Sequence, residues 1–206
     1  GQEAGSNRER LQKKWGPEWP HQKERHNLKG RGQEAGIPHF NLDRLAANSM
    51  ASHRLIQHVG KTYGLRVSEA LYDRLNVYYF VDGHSLNDRP LLAKVAAEEL
   101  AKLVSGSAMS ESEVLDFLES DQGRENIENA LSALRDMKIH GIPKFIIDGT
   151  YMVDGAAPQE NFVPIFRKIE KGGKNLNGPV FADLLGISDD VIAKGSHTKE
   201  STLTMA

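Results

Sequence analysis

Through the middle of the chain, apolar residues recur every three or four positions, the spacing of a single helix face. From Ser49 to Tyr63 the stripe is Met50, Leu55, Ile56 and Val59. It continues through "RVSEALYDRLNVYYFVDG" with Ala70, Leu71, Leu75, Tyr78 and Tyr79, and stops at Gly83. "DRPLLAKVAAEELAKLV" predicts another helix, with Pro90 in its first turn, where a missing N–H costs little. Ser110 and Glu113 form a capping-box pattern ahead of "ESEVLDFLES". Asp121 is the predicted cap of "GRENIENALSALRDMKIH", whose stripe is Ile127, Leu131, Leu134 and Met137. Nearer the N-terminus, "SNRERLQKKWG" predicts a short helix capped by Ser6 or Asn7 and ended at Gly16. A second is predicted from about His21 into "GRGQEAG".

β character comes late. "KFIIDG" and "TYMVDG" meet at Asp148-Gly149, a strong hairpin signal. Phe145, Ile146 and Ile147 are apolar in succession, which predicts a strand covered on both faces and hence a larger sheet. No other stretch reads as a strand. An amphipathic helix is expected from about Pro158 to Lys171, a short helical piece in "PVFADLLGISDDVIAKG", and a disordered tail in "SHTKESTLTMA". The fold class is therefore α+β and helix-rich. The expected organisation is a helical domain over 1–138 with a basic N-terminal arm, a second domain over 139–172, and an extension over 173–206. Pro143, which cannot donate a ladder hydrogen bond, either simply starts its strand or shapes a binding surface with Ile142.

Composition narrows the chemistry. The chain has 206 residues, a formal net charge of -2 and 39% hydrophobic residues. No global field points to nucleic acid or an acidic membrane. No apolar run approaches the roughly 18 residues of a membrane span, and the first residues lack the apolar core of a secretory signal. There is no cysteine, which removes disulfides, thiolate nucleophiles and cysteine-ligated metals together. His53 and His58 are five residues apart, as are His21 and His26, whereas a helical metal pair wants three or four. Spacing alone makes His53 a helix-packing or hydrogen-bonded residue. The basic stretch from Arg8 to Arg31 is diluted by Glu9, Glu18 and Glu24 and reads as a solvated face. "DGTYMVDG" lacks the alternating oxygen ligands of a calcium loop. No GxSxG, Walker A, GxGxxG or HExxH pattern occurs.

Three blocks carry a resemblance: "GIPHFNLDRLAANSMASHRLIQHVGKTYG", "LYDRLNVYYFVDGHSLNDRPLLAKVAAE" and "FLESDQGRENIENALSALRDMKIHGIPKFIIDGTYMVDGAAPQENFVPIFRKI". Together they resemble the DsbA-type thioredoxin-fold proteins, most closely the FrnE-like branch. The resemblance implies a thioredoxin fold with a helical domain inserted before the late hairpin. It implies a cis peptide at Pro143, in a loop that holds peptide or thiol substrates through backbone groups of Ile142. Substrate contact is accordingly expected at Gly141, Ile142 and Pro143, with His53 near the cleft. In the family a Cys-x-x-C motif follows the first strand, upstream of what matches here. The expectation is that the strand–helix–strand half carrying it is absent, leaving no catalytic residue, no metal and no cofactor in this chain. The expected partners are a protein disulfide or small thiol for the complete protein, with self-association or a partner chain at the free sheet edge. Neither nucleic acid nor membrane is expected as a partner, and the expected location is cytoplasmic. Two alternatives are a kappa-type glutathione transferase or isomerase, which would bind glutathione, and a non-catalytic binding or scaffold subunit.

Overall fold

A computed structural model describes residues 5–37, 39, 41, 43–172 and 188–191. These divide into two compact units, one drawn from Gly1–Gly123 and Val191–Ala206, the other from Arg124–Asp190. The division falls one helix earlier than the border expected at 138.

In the first unit, α1 (Asn7–Trp15) is capped by the Ser6 hydroxyl, which accepts from the Arg8 N–H, and ends at Gly16, as its sequence predicts. The expected second helix is two: α2 (Trp19–His26) and α3 (Leu28–Glu34). Asn27 breaks them by taking the left-handed conformation, φ 38°, while its side chain accepts from the Gly30 N–H. Asparagine tolerates that region because its short side chain can bond locally. The helical spacing after Ser49 is carried by two helices. α4 (Met50–Tyr63) stops at Gly64, whose φ of 96° suits only glycine, and α5 (Leu65–Asn76) starts anew. This turn lays α5 against α4 so closely that a Cβ on Gly60 would sit 3.2 Å from the Ser68 hydroxyl. A π-helical segment, Val77–Val81, extends α5.

α6 (Arg89–Leu103) carries Pro90 in its first turn and is capped by Asp88. α7 (Glu111–Glu119) opens on the Ser110–Glu113 capping box. α4, α5, α6 and α7 bury one continuous core, with Leu55, Val59, Leu71, Tyr78, Leu92, Leu100, Val114 and Leu118 fully enclosed. Each such leucine or valine contributes about 1.5–3 kcal/mol relative to exposure. The N-terminal arm joins this unit through a Ser6–Leu45 bridge, the Asn7 N–H donating to the Arg44 carbonyl at 2.9 Å, and an Arg8–Asp43 ion pair.

The second unit begins with α8 (Arg124–Asp136). Just before it in sequence, the Ser120 and Gln122 carbonyls accept from the Arg54 guanidinium. α8 ends when Lys138 turns left-handed, φ 57°, and the Ile139 N–H reaches back to the Leu134 carbonyl at 2.9 Å. β1 (Lys144–Ile147) and β2 (Tyr151–Asp154) pair antiparallel, Phe145 opposite Val153 and Ile147 opposite Tyr151. Asp148 and Gly149 have φ of 50° and 64°, the positive values a type I′ turn demands at both central positions. α9 (Gln159–Gly172) follows. Phe162 meets Phe145 edge to face at 4.9 Å, and the Lys168 ammonium lies over the Tyr151 ring, so α9 covers one face of the hairpin. The other face carries Ile146, Met152 and the Lys144–Asp154 ion pair at 2.5 Å; Met152 is 55% exposed. Within this unit, then, the two-sided cover expected for Phe145–Ile147 is one-sided. Of the helical piece expected in 179–195 only Ser188–Val191 are described, Asp189–Val191 as helix, and the tail from 196 lies outside the described residues.

Candidate functional site

The loop between α8 and β1 is built by its two ends. Lys138 terminates the helix, and the hairpin fixes Pro143, whose carbonyl accepts the Gly155 N–H at 2.9 Å. Between these anchors, Gly141, Ile142 and Pro143 share a surface cavity of about 210 Å³ with Lys138, His140 and Lys144. The Ile142–Pro143 peptide bond is cis. Ile142 is 95% exposed, unusual for a large apolar side chain, and among the described residues neither its N–H nor its carbonyl makes a hydrogen bond. An open N–H and C=O beside a fixed residue can take up an extended peptide, because each backbone polar group in a complex needs a partner. Lys144 and His140 add donors at the rim; Asp154 neutralises Lys144.

His53 belongs to the other unit. It sits on α4 and lines a separate cavity with Ser52, Ile56 and Asn76. Burial lowers its pKa from the ordinary 6.5, which leaves the imidazole neutral at neutral pH. His58, five residues on, stacks on Phe117 at 4.5 Å and borders a different cavity; burial, and then the Lys61 charge, lower its pKa as well. The five-residue offset separates the two histidines as helical geometry requires. Among the described residues no cluster of three or more histidines and carboxylates could hold a metal ion.

Arg54 was not singled out by the sequence, yet it organises the helical unit. It is 2% exposed and its guanidinium donates to the carbonyls of Phe117, Ser120 and Gln122 at 2.9, 2.6 and 2.8 Å. It thereby satisfies the carbonyls that the end of α7 leaves open. The available signal was a charged residue inside the buried stripe of α4, next to Leu55.

A helix-rich α+β chain with a helical unit ahead of a late hairpin, its proline loop open to solvent, has the form of a thioredoxin-like protein with a helical insertion. The family model of the DSBA-like thioredoxin domain matches residues 22–166, and the chain belongs to that family. No curated protein matches it. The family is one of thiol–disulfide oxidoreductases, and 206 residues without cysteine hold no thiolate to begin exchange. Among the described residues no helix is long and apolar enough to cross a membrane.

Proposed function

We propose that this chain is the helical and proline-loop portion of a FrnE-like thiol–disulfide oxidoreductase whose Cys-x-x-C-bearing strand lies outside these residues. The observation that supports this most is Ile142: an exposed apolar side chain with both backbone groups open, held beside an anchored Pro143. In the complete protein, a thiolate attacks the substrate disulfide and forms a mixed disulfide, releasing the other sulfur as a thiolate. The Gly141–Pro143 backbone holds the substrate strand in register during that exchange. The two-stranded sheet is consistent with the reading, because an isolated hairpin is marginal and the outer edges of β1 and β2 pair with no described strand.

The sequence encoded immediately upstream of Gly1 tests the reading: a predicted strand followed by Cys-x-x-C supports it, and neither being there overturns it. A glutathione titration of the present chain tests the transferase alternative. Saturable perturbation of the Ile142 amide by glutathione would favour that alternative; no perturbation is expected.

A further inference from the structure

The first unit contains a cavity distinct from the one around Ile142. It has a volume of about 260 Å³ and is walled by Tyr72 and Tyr79, floored by the buried Leu75 and Leu86, and bordered by His53 and Asn76. Three features define what it accepts. First, its walls are aromatic and its floor aliphatic, a surface that favours flat apolar rings stacked offset or edge to face. Second, the imidazole of His53 and the amide of Asn76 make no side-chain hydrogen bond with any described residue, whereas the Ser52 hydroxyl is already committed to the Ser49 carbonyl at 2.8 Å. Two polar groups beside an apolar cavity fix the orientation of an occupant, the division of labour usual in small-molecule sites. Third, no charged side chain lines it. The Arg44 guanidinium lies over the rings of Tyr79 and Phe80 and is not part of the lining. An ionised ligand would enter without a countercharge and lose its hydration.

Size sets the remaining limit. Engineered apolar cavities of about 150 Å³ take up benzene, and drug-sized sites start at about 300 Å³. We propose that this cavity binds a neutral planar aromatic molecule of one or two fused rings with a hydrogen-bonding group on one edge. The proposal stands independently of the thiol–disulfide reading.

Indole is the probe, and benzoate the charged control, in an NMR titration of the full chain that follows the ring signals of His53, Tyr72 and Tyr79. Indole should shift them saturably with a dissociation constant of roughly 1 mM or tighter, in the range small ligands reach, and benzoate should bind at least tenfold more weakly. Ala47→Phe projects a ring into the same space and should weaken indole at least tenfold. Should that variant fail to fold, Asn76→Leu decides: it keeps the volume, removes the edge partner, and should weaken indole severalfold while leaving toluene unaffected. No saturable shift with indole, equal affinity for benzoate, or indole binding unchanged in a folded variant overturns the proposal.

Discussion

The two units differ in how far each encloses its own apolar surface. In the helical unit four helices bury a continuous set of leucines, valines and aromatics, and even a charged residue, Arg54, is taken inside with its donors satisfied. In the unit from α8 to α9, Val153, 7% exposed, is the only buried residue among those described. Phe145, Met152, Val163 and Phe166 all remain more than a third exposed there. One unit thus has a core of its own, while the other presents a two-stranded sheet and one covering helix. The lesson concerns function as well as stability, because surface used for recognition must be left uncovered, and the uncovered surface lies in the unit with the weaker core.

The strongest test of that contrast is Arg54→Ala. It strands three carbonyls in the helical unit and should cost about 3–5 kcal/mol in chemical denaturation; a cost below about 1 kcal/mol would show that the bundle does not depend on its buried cation. Phe162→Ala, in the other unit, removes the ring that covers Phe145 and should cost about 1–2 kcal/mol locally. Hydrogen exchange should show faster exchange of the β1 and β2 amides with α4 and α6 unchanged. Simultaneous loss in all four elements would mean that the units share one stability.

Tyr78→Phe sharpens the comparison through pH. The Tyr78 hydroxyl donates to the Ser85 carbonyl at 3.1 Å, and the variant should lose about 1 kcal/mol at neutral pH. Burial, reinforced by Asp88 and opposed by Arg74, pushes the phenol from 10.0 up to about 12. The folded state therefore keeps this proton after the unfolded chain has released it. The stability concerned is fully present below pH 10 and is lost as pH rises through about 12. Tyr78→Phe should flatten that alkaline decline, as read from denaturation midpoints across the interval. The smallest effect is expected for Ile142→Ala, within about 0.5 kcal/mol of the parent because the side chain is exposed. A larger loss would show that Ile142 is a packing residue and not an open contact.

Much of this architecture was legible because it is local. The Ser6 cap, Pro90 in a first turn, the Ser110–Glu113 box and the Asp148-Gly149 turn each depend on partners within four residues, which a sequence displays side by side. Asn27 was the local failure: a helical stretch can read as unbroken through a residue that the backbone turns left-handed, and the sequence pattern does not reveal the break. The candidate site was half legible. Gly141, Ile142 and Pro143 are neighbours in sequence and share one cavity, whereas His53 borders a different one in the other unit.

By itself the sequence determined most of the helical segments, where the hairpin turns, and that no thiol chemistry can start within these residues. Only the tertiary structure decided that Arg54 would close the end of a helix more than sixty residues away, that Asn76 and Tyr79 would join His53 around one cavity, and that Ile142 would stand open beside an anchored proline. The physical reason is range. Caps and turns are settled by bonds along a few residues of backbone, while cavities and buried charges depend on which distant surfaces meet, and that follows from the packing of the whole core.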